Sequence, residues 1–526
     1  MSRRENHGAF VKQAAILAGA SLFVRLLGFF YRLPLTDLIG DEGNAFYGSV
    51  YSAYTLAITL SSAFMIATIS RLTSERVALK QFRNAHKLFT TAMIVSMFLG
   101  MTGFLFMFFG AEHIEALVFF NQEGVAAAIR AISPAVFVVS MLTVFRGYFQ
   151  GMKTTLPTAV SQVVEQIFKV IFSLWLAYLF FDAANVSHAA AGAAAGTAIA
   201  AVSALIVVVI IYALVSNFLK KRIAEDETEL HETRRSQVAE IFKMAYPIII
   251  CSAIFTLANL LDIRMANSRI ISDDINILLG QFSLKFVLLT TLPVSLSLSL
   301  SSAVLPEIAS SHVTLDQHAV RKKTNLALRL SMLISIPSAV GLAVLADPIV
   351  ALLFPKHPEG GWLLRCGAVS IVFLGIVHVI TGVLQGVGRV KIPVIAIFFG
   401  MIVKIPINYY LMAVPEINIL GAVISTIACF FVAAVLNLFF LKYFTGIFPE
   451  IIGTFFKPTI CAAGMGFVCF SAYNLLAMVS SNAVAALAAI AFGVVSYVAL
   501  MILVRGFGKR ELALLPIPKK IRRWLA

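Results

Sequence analysis

Glu165 and Lys169 stand four residues apart in "PTAVSQVVEQIFKVIF" (157–172), a stretch whose other side chains are mostly apolar. That spacing puts an acid and a base one turn apart on the same helix face, where they can pair. Two readings of the pair stay open. It is a structural ion pair buried among helices, or it is a carboxylate that holds Lys169 until another anion displaces it. Further cations interrupt other apolar stretches at Arg25, Arg32, Lys285 and Lys404. Arg25 stands about twelve residues, or roughly 18 Å, into its helix, and the seven residues to Arg32 make nearly two turns, so both point to one face. Lys404 and Lys285 have no acid in their own helices, although Lys285 could snorkel toward a helix end. An ionisable group deep in an apolar span costs several kcal/mol unless it is paired or faces water, so each marks a pathway. Arg25, Arg32, Lys169, Lys285 and Lys404 against Glu165 leave a cationic balance, which attracts an anion and rejects a hydrophobic cation. Asp262 and Arg264, in "NLLDIRMANS", form either an outer gate pair or an interfacial salt bridge.

Other chemistry is excluded by pattern. There is no nucleophile triad, HExxH, P-loop or glycine-rich phosphate loop, so ATP use and hydrolysis by this chain are not expected. Cys251, Cys366, Cys429, Cys461 and Cys469 lie in or beside apolar runs with no CxxC pair, and read as small core residues rather than metal ligands. No bound cofactor or metal is expected.

The elements that carry these residues are set by composition. Of 526 residues, 60% are hydrophobic and 13% charged, against roughly 25% charged in soluble domains. The sequence predicts an all-α integral membrane protein with fourteen spans, near 13–33, 45–70, 87–110, 125–147, 157–181, 188–216, 241–262, 277–300, 324–350, 362–386, 392–413, 417–441, 453–476 and 483–505. The net charge of +15 does not signal a nucleic-acid partner, because Lys and Arg collect in alternate connections. "RLTSERVALKQFRNAHK", "RGYFQGMK", "LKKRIAEDETELHETRRSQ", "RKKTNLALR", "GRVK" and the tail are basic, while "TDLIGDEGN", "GAEHIEALVFFNQEG", "FDAANVSH" and "AVPEIN" are acidic or neutral. By the positive-inside rule both termini are cytoplasmic. The basic start has no cleavage site and reads as the lead into a first spanning helix rather than a removed signal. Outer loops of no more than roughly 15 residues leave no room for a folded outer domain, so the working part lies within the membrane.

The chain also repeats itself. At a near-constant offset Gly147, Gln150, Gly151 and Lys169 fall on Gly382, Gln385, Gly386 and Lys404, "GAAAGT" at 192 falls on "GAVIST" at 421, and Gly48 with Glu75 falls on Gly280 with Glu307. This predicts two six-helix lobes related by an axis along the membrane normal, with a site between them near the midplane. The domains expected are an N-terminal lobe (1–216), a cytoplasmic linker, helical in part (217–240), a C-terminal lobe (241–445), and two added helices with a basic tail (446–526). "GAAAG" at 192–196 is a small-residue pattern that lets helices approach closely.

Three stretches, "RLLGFFYRLPLTDLIGDEGNAFYGSVYSAY" (25–54), "ISRLTSE" (69–75) and "RGYFQGMKTTLPTAVSQVVEQIFKVIF" (146–172), together with the six-plus-six-plus-two plan, resemble the polysaccharide-exporter branch of the multidrug/oligosaccharidyl-lipid/polysaccharide superfamily. The likeness is to its stage V sporulation protein B and lipid II flippase type. The resemblance implies a bacterial plasma-membrane flippase that moves an undecaprenyl-pyrophosphate-linked saccharide, such as a peptidoglycan precursor, through a cationic cavity. It implies that Arg25, and more loosely Arg32, engage the diphosphate, and that the two added helices form a groove for the lipid tail. An arginine inside the second helix of some flippases has no counterpart here, since Arg71 falls at the cytoplasmic end. On this reading Lys169 and Lys404 face each other across the lobe interface, and Glu165 supports Lys169. The partners expected are the lipid-linked saccharide and membrane lipids, with no nucleic acid, in a monomer driven by the membrane potential or a Na+ or H+ gradient.

Other classes make different demands. A cation-coupled drug efflux pump of the same superfamily calls for cavity acids, of which the sequence offers only Glu165. A membrane enzyme acting on the same lipids calls for an outward catalytic loop, which the short loops do not supply. A scaffold for envelope assembly leaves the buried cations without a reason.

Overall fold

The computed structural model describes residues 19–506, except 120, 121, 123, 183, 184, 227, 229–231, 273, 299, 300, 302–307 and 309–315. The basic start, the tail beyond Gly506 and Glu307 lie outside the described residues. Among the described residues the chain is helical, with no strand.

The helices of the first half are α1 (Gly19–Phe30), α2 (Arg32–Ser61), α3 (Ala63–Ala78), α4 (Phe82–Phe109), α5 (Ala111–Val118), α6 (Val125–Gly151), α7 (Leu156–Leu179), α8 (Val186–Ala224) and α9 (Arg234–Arg269). Those of the second half are α10 (Ile275–Leu298), α11 (Gln317–Val344), α12 (Ala346–Leu353), α13 (Gly361–Gly367), α14 (Ser370–Gly386), α15 (Lys391–Leu411), α16 (Leu420–Thr445), α17 (Ile452–Ala477) and α18 (Asn482–Leu503). Among the described residues twelve spans are long and apolar enough to cross a membrane, with α2 and α3 counted together as one, or 13 if α13 and α14, bent by 50°, count as one. The chain is a multi-pass membrane protein, and the described residues alone do not account for all fourteen expected spans. The first expected span, 13–33, is represented by the short α1, because the residues before Gly19 lie outside those described. Helical order then runs from Arg32 to Ala78 with breaks rather than a loop. Inside α2, Gly40 adopts φ 67° and ψ −173°, a conformation that only glycine takes without strain.

The chain divides into two compact units, 1–268 and 269–526. Residues 234–268 of α9 fall in the first unit, and polar contacts explain why. The Arg76 guanidinium, nearly buried at the end of α3, donates to Glu232 at 2.7 Å and to Glu240 at 2.6 Å. Gln237 accepts from Thr91 Oγ1 at 2.9 Å, and Thr59 and Thr256 hydroxyls lie 3.4 Å apart. A buried guanidinium stays in place only when it is well paired, so this segment is fixed to the first unit at several points. Ahead of it, α8 runs on to Ala224, and α9 begins at Arg234.

Within the first unit, Gly192 and Gly196 of α8 lie against the backbone of α7. A Cβ on them would come within 2.5 Å of Leu176 O and 2.4 Å of Ser173 N. The small-residue stripe therefore does what its spacing predicts, and Ser173 adds a hydrogen bond to Ala193 O at 2.8 Å. Small residues recur at the same repeat positions in the second unit. Gly147 faces Ile66 O, and its repeat mate Gly382 faces Ser301 O; Ile66 and Ser301 are separated by the same offset as the two glycines. The duplication read from the sequence is thus a duplication of packing. The added helices α17 and α18 pack on each other and on α11, where Tyr497 donates to Leu333 O at 3.3 Å.

Candidate functional site

In the first unit, Tyr47, Tyr51 and Tyr54 recur at i, i+4 and i+7 along α2 and therefore share one face. Tyr31 sits at the junction of α1 and α2, with Arg32 next to it, and Lys169 comes from α7. Together they form a cage. The Arg32 guanidinium carbon lies 4.3 Å from the Tyr47 ring centre and 5.8 Å from that of Tyr31. The Lys169 ammonium lies 4.6 Å from the Tyr51 ring centre and 5.8 Å from that of Tyr31. Tyr47 and Tyr51 stack at 6.0 Å, and the hydroxyls of Tyr31 and Tyr47 are 2.8 Å apart. A cation over an aromatic face gains about 0.5–2 kcal/mol from the ring quadrupole, more where water is excluded. The rings thus hold two cations in one place without neutralising either.

No ion pair joins Arg32 or Lys169 to a carboxylate among the described residues. The expected i, i+4 pair is the correction here. The Glu165 carboxylate does not close on Lys169; its Oε2 accepts from Arg146 Nη2 at 2.7 Å, with the arginine side chain 8% exposed and the glutamate 30%. Arg146 Nε donates to Ser161 Oγ at 2.9 Å, and Ser161 Oγ to Thr158 O at 2.8 Å. The reason is tertiary: the turn at 152–155 folds α7 back beside α6, and a planar guanidinium anchored by a hydroxyl is a better partner for a carboxylate than a flexible ammonium one turn along.

Of the other residues singled out in the sequence, Arg25 is exposed on α1. Gly28 brings that helix against α7, where a Cβ would lie 3.3 Å from Gln166 Nε2. Lys404 is buried on α15 in the second unit, and its ammonium donates to Thr426 Oγ1 of α16 at 3.1 Å. Lys285 is fully buried in a π-helical turn, so it does not snorkel to a surface. Asp262 and Arg264 do not pair with each other. Positions i and i+2 point to different sides of a helix: Asp262 is buried, and Arg264 is exposed and donates to the carbonyl of Leu117.

Sequence reasoning misses the tyrosine cage and Arg146. Both have a signal. "YGSVYSAY" (47–54) carries tyrosines at helical spacing, and Arg146 opens the "RGYFQG" motif, which reads as part of a basic connection.

Comparison with known proteins gives the class first. The fold matches that of "Lipid II flippase MurJ, inward closed conformation" with a TM-score of 0.71 at 17% identity, covering 93% of this chain and 98% of that one. The structure titled "Inward-facing conformation of a multidrug resistance MATE family transporter of the MOP superfamily" shares the fold with a TM-score of 0.66 at 14% identity, covering 81% of this chain and 98% of that one. The profile described as polysaccharide biosynthesis protein matches residues 10–312, more than half of the chain, and the MatE profile matches 247–410. The chain belongs to the polysaccharide biosynthesis protein family. Among its relatives, the lipid II flippase MurJ of Bacillus subtilis (strain 168) is 25% identical over 455 residues, covering 81% of this chain and 80% of the relative. Stage V sporulation protein B of the same organism is 25% identical over 525 residues, covering 97% and 98%.

Proposed function

We propose that the protein is an alternating-access flippase that carries an undecaprenyl-pyrophosphate-linked saccharide, lipid II or a related unit, from the inner to the outer leaflet of a bacterial plasma membrane. One observation carries the reading: Arg32 and Lys169 share a tyrosine cage, while the acid expected to neutralise Lys169 is tied to Arg146. A diphosphate meets the two cations as a ligand able to accept from both, and the guanidinium can bind it bidentately. The same cations oppose a hydrophobic cation, which weighs against cation-coupled drug efflux despite the MatE match. Arg25 belongs to the proposed path as a further phosphate contact. Movement of the headgroup is coupled to the membrane potential or an ion gradient.

The test is translocation in proteoliposomes loaded with a labelled lipid-linked disaccharide pyrophosphate, comparing wild type with Arg32→Ala, Lys169→Ala and Arg25→Ala. Transport by wild type that collapses in the Arg32 and Lys169 variants supports the reading. Transport unchanged in both, or uptake of cationic dyes with no lipid movement, overturns it.

A further inference from the structure

Arg146 is a buried cation that the proposed function leaves unused, and it is joined to the residue one turn before Lys169. Its contacts are specific: Nη2 to Glu165 Oε2 at 2.7 Å and Nε to Ser161 Oγ at 2.9 Å, with the side chain 8% exposed. Glu165 is 30% exposed and lies one turn before Lys169 on α7, and Tyr54 is within electrostatic reach of both. Released from Arg146, the carboxylate has one nearby cation on its own helix face, the Lys169 ammonium. We infer that Arg146 is a positioning residue whose task is to sequester the Glu165 carboxylate, so that Lys169 stays available to an anionic ligand.

This rests on the reading of the cage as an anion site and adds a mechanism to it. An ion pair between Glu165 and Lys169 would cancel one of the cage's two cations and set a carboxylate against any incoming phosphate. Held by Arg146, the same carboxylate is compensated before the ligand arrives.

The experiment is binding of inorganic pyrophosphate to the full chain in nanodiscs, measured for wild type, Lys169→Gln, Glu165→Gln, Arg146→Gln and the double variant Arg146→Gln/Glu165→Gln. Wild-type binding is expected to weaken by about tenfold in Arg146→Gln, the equivalent of losing one ionic contact. It should return to within about threefold of wild type in the double variant, because the liberated carboxylate is gone. A structural role for the pair does not give that rescue. If Arg146→Gln folds poorly, Glu165→Gln alone decides. Binding within about threefold of wild type supports sequestration, whereas binding tightened by about tenfold means Glu165 competes with the ligand for Lys169 and overturns it. Arg146→Gln binding as well as wild type, or a double variant as weak as Arg146→Gln, also overturns it. A wild type that binds no pyrophosphate, or a Lys169→Gln variant that binds as wild type does, overturns the anion-site reading and this inference together.

Discussion

Lys169 and Lys404 occupy matching places in the two copies of the repeat, yet their surroundings differ in kind. Lys169 lies over tyrosine rings beside a second cation, and no acid pairs with it among the described residues. Lys404 is 5% exposed and donates to a threonine hydroxyl, with the Ser425–Asn408 hydrogen bond of 3.1 Å one turn away. The offset that sets Gly48 on Gly280 also sets Tyr47, Tyr51 and Tyr54 on Leu279, Ser283 and Phe286. The cage was therefore built in one copy only. Duplication kept the scaffold, as the matched contacts of Gly147 and Gly382 show, and the chemistry of the two halves diverged on it. A ring face holds a cation while leaving its hydrogen-bonding capacity to a ligand, whereas a hydroxyl engages one of the three donors of an ammonium.

The contrast can be broken most directly by removing each lysine. Lys169→Gln should lower transport of the labelled lipid by about 10- to 100-fold, the equivalent of a charged hydrogen bond, and Arg32→Gln by a similar factor. Lys404→Gln should lower it by less than about tenfold, and equal losses at the two positions would erase the distinction. The cage itself is probed by Tyr51→Leu against Tyr51→Phe. The leucine variant loses the ring face and about tenfold in pyrophosphate affinity, and the phenylalanine variant keeps most of it. A leucine variant that binds normally would reduce the rings to packing.

On the other side of the comparison, Thr426→Val removes the acceptor of a buried ammonium. The expected cost is about 1–3 kcal/mol of stability, seen as a lower thermal midpoint, with transport per folded molecule unchanged. A loss of transport without a loss of stability would move Lys404 into the ligand path. The smallest effect belongs to Tyr31→Phe, which deletes the Tyr31–Tyr47 hydroxyl contact and should cost about 0.5–1.5 kcal/mol, read by thermal unfolding, while leaving both cations over their rings.

Much of this architecture is legible in the amino-acid sequence. Apolar runs fix where helices form, and the repeat of glycines and "GAAAG" fixes where they pack closely, because both depend on local composition and spacing. The same local logic places Lys169 and Lys404 in buried or half-buried positions. It goes wrong where a side chain has a choice of partner. Glu165 has Lys169 as its nearest cation along the helix, and Asp262 has Arg264 two residues away, but neither pairing forms.

By itself, then, the sequence determined the membrane class, the duplicated plan and the excess of cations in apolar spans, since each of these is written in composition or period, and its motifs carried the resemblance that pointed to the family. The tertiary structure decided which cation meets which partner. It set Arg146 against Glu165 across the turn between α6 and α7, brought Arg32 and Lys169 from separate helices into one tyrosine cage, and assigned α9 to the first unit. The physical reason is that burial makes charge pairing a contest among all groups within a few ångströms. Which groups those are depends on how helices pack, and spacing along one helix cannot reveal it.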